Sequence, residues 1–209
     1  MRIELPPAIA ATGVVAVVRK PPLGVREVVE AAAEGGIRAT EVTLNTPGAL
    51  EAIKDLVTDP PTEGMLIGAG TVLEVEDAEA AVGAGAQLIV TPVASVDVVS
   101  WCVAAGVPVI PGAHTATEIH GVWRAGATAV KVYPYVTGGI AHLKTLMGPL
   151  PDVRYMAFGG VTVADVADVL GAGGVGVGIG AWLTDEPDPE EIIDRASQVI
   201  EAAAAFLAP

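Results

Sequence analysis

An alternation along this chain leaves few folds open to it. Eight short apolar runs recur, at 14–19, 39–44, 65–70, 86–90, 107–112, 127–133, 153–158 and 175–180. Ala-rich amphipathic segments follow them, at 24–35, 47–57, 74–84, 95–105, 115–124, 138–147, 162–170 and 189–207. The runs start roughly 23 residues apart on average, the length that a strand, a loop and a helix need. Continuous Val/Ile/Leu runs are what parallel strands look like when both faces are covered. Glycines stand at the ends of the helical segments, at Gly35-Gly36, Gly83 with Gly85, Gly106, Gly126 and Gly171. Thr162, with Asp165 three residues on, reads as a capping pair that opens the seventh helix. No linker or charge block interrupts the pattern, so residues 1–209 read as one domain. Eight β/α units in one α/β domain predict a (β/α)8 TIM barrel with parallel strands. An open doubly wound sheet would carry a glycine fingerprint after its first strand, where this chain has Lys20-Pro21-Pro22.

Composition narrows the partners. Lys and Arg number 11 against 25 Asp and Glu, a net charge of −14, so neither nucleic acid nor an anionic membrane surface is an expected partner. Hydrophobic residues make up 52% and charged residues only 17%, which excludes a disordered chain. The longest uncharged stretch, 98–117, contains Gly106, Pro108, Pro111 and Gly112, which would break a spanning helix. The N-terminal MRIELPPAIA lacks the layout of a signal peptide. The single Cys102 cannot form an internal disulfide and sits among apolar residues, so a cytoplasmic location is expected.

Chemistry is sought where charge interrupts an apolar run. Of four lysines only Lys131 lies within such a run, between Val130 and Val132. Glu41 interrupts the second run in the same way. In a barrel, alternate strands fill a common interior layer, so residues of the second and sixth strands can meet. One reading is a buried ion pair with a structural role. The other is an amine nucleophile beside an acid/base carboxyl. A lysine of ordinary pKa, about 10.4, is almost fully protonated at neutral pH. Desolvation would free its lone pair. Arg19, Thr71, Thr91 and His114 follow or end strands and so belong to the C-terminal mouth, where barrel chemistry resides. Arg19 either holds a substrate anion or makes a rim ion pair, and His114 reads more simply as a loop residue. Gly159-Gly160 and Gly180 occupy the last two loops, a usual place for anion binding by backbone N–H groups. The three histidines and one cysteine show no metal-ligand spacing.

Several motifs in one order resemble a known family. They are Glu41-Val42-Thr43-Leu44-Asn45-Thr46, Ile67-Gly68-Ala69-Gly70-Thr71-Val72-Leu73, Thr91-Pro92, Val109-Ile110-Pro111-Gly112 and Lys131-Val132-Tyr133-Pro134, with Gly159-Gly160 and Gly180. The chain resembles, from about Gly13 to Leu183, the class I aldolases of 2-keto-3-deoxy-6-phosphogluconate, its galactonate relative and 4-hydroxy-2-oxoglutarate. The resemblance implies a homotrimer of barrels, with no metal and no cofactor beyond a Schiff base between Lys131 and the substrate. It implies that Glu41 is the general acid/base and that Thr71 binds the keto-acid carboxylate. Arg19, Asn45, Thr91, His114, Tyr133, Gly159, Gly160 and Gly180 are the further substrate-binding candidates.

The sequence departs from the family pattern at four places. Asn45 stands where gluconate-type members carry arginine. Phe158 and Ala181 stand where many place hydroxyls near a phosphate. His114 stands where a small residue is usual. The expected function is reversible cleavage of a 4-hydroxy-2-keto acid to pyruvate and an aldehyde. The substrate would be 4-hydroxy-2-oxoglutarate or a 2-keto-3-deoxy-6-phospho sugar acid. The alternatives are a barrel isomerase or epimerase with Glu41 as base, and a non-catalytic barrel that has lost acceptor chemistry.

Overall fold

A computed structural model describes residues 2–207, so the ends of the expected 1–209 domain, Met1, Ala208 and Pro209, lie outside the described residues. The strands are β1 (Val14–Val18), β2 (Ala39–Thr43), β3 (Leu66–Gly70), β4 (Ile89–Val90), β5 (Val109–Ile110), β6 (Gly112–Ala113), β7 (Val130–Val132), β8 (Tyr155–Phe158) and β9 (Gly176–Ile179). They pair in parallel in the order β5-β4-β3-β2-β1-β9-β8-β7-β6.

The two ends of that order are one stretch of chain. The fifth apolar run, expected as a continuous strand, is split at Pro111 into β5 and β6. A proline brings no N–H to a ladder. β5 pairs with β4 and β6 with β7. The Pro111 carbonyl still accepts the Lys131 N–H at 2.9 Å. Taken as one stave, β5 and β6 close eight staves into the expected barrel.

Helices cover the outside: α2 (Val25–Glu34), α3 (Ala49–Thr58), α4 (Val75–Gly83), α5 (Val96–Ala105), α6 (Ala116–Ala125), α7 (Gly139–Met147), α8 (Val163–Gly171) and α10 (Pro189–Ala204). The last ends three residues before the expected 207. The predicted cap of α8 is present, with the Asp165 carboxylate accepting from the Thr162 N–H at 2.8 Å and from its hydroxyl at 2.7 Å. Two short α-helices were not expected from the sequence. α1 (Pro7–Thr12) starts on a proline, which suits a first helical turn, and α9 (Ala181–Thr184) follows β9 directly.

Strand periodicity builds two cores. Outward residues such as Ala16, Val18, Val42, Val130, Val132 and Ala157 pack under the helices. Inward residues form a separate cluster of Ile9, Val15, Ala39, Leu88, Val90, Ile110, Ala129, Met156 and Phe158. Ile9 comes from α1 and plugs the N-terminal end of the barrel, fully buried. Burying a side chain of this kind contributes about 1.5–3 kcal/mol. Cys102 is buried beneath the helices, and burial pushes its thiol up to about 12, which leaves it unreactive.

Candidate active site

The same periodicity carries charge inward at the other end. On β2, Ala39 is inward, so Glu41 is inward two residues later. Ala129, just before β7, precedes Lys131 in the same way. The two side chains meet inside the barrel, with Lys131 Nζ 3.8 Å from Glu41 Oε1 and exposures of 4% and 0%. That separation is longer than a hydrogen bond. Among the described residues neither Glu41 carboxyl oxygen has a hydrogen-bond partner.

Burial therefore dominates the electrostatics of the pair. It pushes the Glu41 carboxyl up from the ordinary carboxylate range, against the pull of Lys131 and Arg19. It pushes the Lys131 amine down, opposed by Glu41 and assisted by Arg19. Both shifts favour the uncharged forms, an amine with a free lone pair and a carboxyl able to donate a proton. The rings of Phe158 and Tyr133 lie 4.7 and 5.0 Å from Nζ and form the apolar surroundings that cause this.

Space for Glu41 is made by Gly70 on β3. A Cβ there would lie 2.9 Å from both Glu41 Cδ and Oε1. Gly159 serves the opposite wall. Its φ of +86° is one that side chains rarely adopt, and a Cβ would lie 2.8 Å from the Tyr133 ring. The backbone of the 159–160 turn can thus approach whatever lies beside Lys131.

A cavity of about 310 Å³ opens at this mouth. Lys131, Tyr133, Arg19, Gly159, Gly160 and Gly180 line it together. Thr71 is joined to this group through Arg19, whose guanidinium donates to the Thr71 hydroxyl at 3.3 Å. Asn45, Thr91 and His114 are not in the cavity wall. Asn45 is exposed in the turn after β2. The Thr91 hydroxyl donates to the Val93 carbonyl and accepts from the Gly112 N–H at 3.3 Å, so it ties the fourth and fifth staves together. His114 stacks on His142 with centroids 4.4 Å apart, and its carbonyl accepts from His142 Nε2 at 2.8 Å.

The wall also holds Thr162, Trp182 and Asp185, which sequence reasoning did not select. Thr162 was visible as a cap. Trp182 and Asp185 belong to α9 and its end, a helix that left no pattern in the sequence. No three His, Cys, Asp or Glu side chains come together as metal ligands among the described residues.

The chain is similar to known proteins in sequence and in fold. The family model "Aldolase: KDPG and KHG aldolase" matches residues 8–198. The chain is 38% identical over 167 residues to a 2-dehydro-3-deoxy-phosphogluconate aldolase of Pseudomonas aeruginosa, covering 79% of this chain and 73% of that one. It is 40% identical over 156 residues to a 2-dehydro-3-deoxy-6-phosphogalactonate aldolase of Escherichia coli, covering 74% and 76%. The solved 2-keto-3-deoxy-6-phosphogluconate aldolase of Zymomonas mobilis with 3-phosphoglycerate superposes with a TM-score of 0.85 at 28% identity, over 96% of this chain and 97% of that one. By the span of the family match and by these identities, the chain belongs to the KDPG and KHG aldolase family.

Proposed function

We propose that this protein is a class I pyruvate-dependent aldolase that reversibly cleaves a 4-hydroxy-2-keto acid to pyruvate and an aldehyde. The observation that carries the reading is the buried Lys131 amine, which opens into a cavity and has a buried carboxyl 3.8 Å away. Arg19 and Thr71 hold the substrate carboxylate. Neutral Lys131 attacks the C2 carbonyl, and the Glu41 carboxyl supplies the proton with which the carbinolamine oxygen leaves as water. The resulting iminium is an electron sink. Glu41, now a carboxylate, takes the C4 hydroxyl proton. The C3–C4 bond breaks, its electron pair moves into the iminium to give an enamine, and the aldehyde departs. Protonation at C3 and hydrolysis release pyruvate and restore Lys131.

The aldehyde half lies against Gly159, Gly160 and Gly180, in the cavity that Phe158 and Trp182 also line. A phosphate there would meet backbone N–H groups but no side-chain cation beyond Arg19 and Lys131, and Asp185 would stand near it. The ratio of kcat/KM for 4-hydroxy-2-oxoglutarate to that for a 6-phospho sugar acid measures how this half discriminates.

We infer that the enzyme works in the cytoplasm as a homotrimer, with Schiff-base chemistry alone. Among the described residues no helix is long and apolar enough to cross a membrane. Leu73 and Val93 are exposed on mouth-side loops and Val96 at the start of α5, and they offer an apolar contact face. A monomer in sedimentation would remove the trimer.

The experiment is mass spectrometry of the intact protein after pyruvate and borohydride, with peptide mapping. A reduced pyruvyl adduct on Lys131 is expected. No adduct on folded protein, or full turnover by Lys131→Ala, would sink the imine and leave proton transfer by Glu41.

A further inference from the structure

Among the described residues only two non-glycine residues have a positive φ, Lys20 at +46° and Thr71 at +57°. They bracket a single contact. Thr71 receives the Arg19 guanidinium, and Lys20 is the next residue in the chain after Arg19. Backbone held in this region is costly for a side-chain-bearing residue and persists only where its surroundings impose it.

What imposes it at Lys20 is a chain of hydroxyls from β2 and the turn after it. The Lys20 N–H donates to Thr46 Oγ1 at 3.0 Å. Thr46 and Thr43 hydroxyl oxygens are 3.1 Å apart. Thr43 Oγ1 donates to the Val18 carbonyl at 3.2 Å. A hydroxyl carries one proton, so the direction is settled. Thr43 donates to Val18, Thr46 donates to Thr43, and Lys20 donates to Thr46. Both threonines are buried, at 0% and 6% exposure. The two backbone groups they grip, the Val18 carbonyl and the Lys20 N–H, stand on either side of Arg19.

We propose that Thr46, acting with Thr43, is a positioning residue. Its hydroxyl clamps the strained turn that aims Arg19 across the mouth at Thr71, and so presets the site of the keto-acid carboxylate. This inference rests on the proposed carboxylate role of Arg19. The clamp explains why two buried hydroxyls of β2 and its turn serve a neighbouring loop.

The test compares Thr46→Val, which keeps the shape and loses the hydroxyl, with Thr46→Ser, which keeps the hydroxyl. Loss of one buried hydrogen bond is expected to raise the pyruvate concentration for half-maximal borohydride trapping about tenfold in Thr46→Val, with kcat changed much less. Thr46→Ser should stay near wild type. Thr46→Val should add nothing further in an Arg19→Ala background. Lys20→Gly, which makes the left-handed turn free of strain, should recover part of the loss. An unchanged pyruvate requirement in folded Thr46→Val would overturn the clamp. So would an equal effect in the Arg19→Ala background. If Thr46→Val fails to fold, Thr43→Val takes its place and is judged by the same pyruvate requirement. Failure of the proposed function is distinct, because wild type itself would then trap no pyruvate.

Discussion

Leading into β7 the inward positions climb from Ala129 to Lys131, and on β2 from Ala39 to Glu41. At the N-terminal end, Ala129 and Ala39 join Val15, Leu88 and Met156 beneath the Ile9 plug, an all-apolar floor. One inward step higher, the same strands place an amine and a carboxyl whose oxygens have no hydrogen-bond partner among the described residues. The floor is arranged for burial, and the mouth holds groups that burial penalises. The difference marks where the barrel gives up stability, because a desolvated amine is a cost to the fold, and on the proposed function that same amine is the nucleophile.

Replacing a mouth residue should remove activity without unfolding the protein. Lys131→Met should lower pyruvate release by at least about 10⁴-fold, since no other amine in the cavity can form the imine. Replacing a floor residue should do the reverse. Ile9→Ala should cost about 2–5 kcal/mol in denaturant unfolding, with pyruvate affinity kept. If Ile9→Ala changed pyruvate trapping as much as stability, the two ends would not be separable.

Gly70→Ala tests the boundary between the ends. Its Cβ would intrude on the Glu41 carboxyl, and a misplaced acid/base group of this kind costs about 10²-fold in turnover. Wild-type turnover would mean that Glu41 moves freely or does not carry the proton.

Converting the mouth to floor chemistry should stabilise the protein. Glu41→Leu with Lys131→Met is expected to raise stability by about 1–4 kcal/mol at neutral pH. The sign follows from linkage. Glu41 is raised by burial, so it takes up a proton on folding, and stability falls as pH rises from the ordinary carboxylate range to its raised value. Lys131 is lowered by burial, so it gives up a proton on folding, and stability rises with pH from its lowered value to the ordinary lysine range. Near neutral pH both therefore cost stability, and the double variant should lose both slopes. A less stable double variant would show that the pair contributes to the fold.

The smallest expected effect is a shift of pH limb. Arg19 lowers the Lys131 amine, so Arg19→Gln should move the acid limb of pyruvate trapping to higher pH. Glu41 raises it, so Glu41→Gln should move the limb the other way. Shifts of the same sign would contradict the electrostatics of the pair.

The alternation of runs was enough to read eight parallel staves, and the interruptions at Lys131 and Glu41 were enough to single out an amine and a carboxyl that meet inside the barrel. Both signals are local, because apolar runs and a charge within one are visible without any contact. Their limits are equally physical. Pro111 splits the fifth stave because a missing N–H matters only where a neighbouring strand needs one. The helix that carries Trp182 spans four residues, too few to show a period. Thr91 was a binding candidate by position, yet its hydroxyl joins two staves, which only their adjacency reveals.

The barrel, its polarity and the identity of the amine and the carboxyl were written in the order of residues, because strand periodicity and cost of burial act residue by residue. How these groups are used was left to the closed barrel. It brought Lys131 to 3.8 Å from Glu41, made room for that carboxyl at Gly70, and held Arg19 against Thr71 through hydroxyls of another strand. Distance, desolvation and hydrogen-bond direction are properties of neighbours, and the chain acquires its neighbours only when the barrel closes.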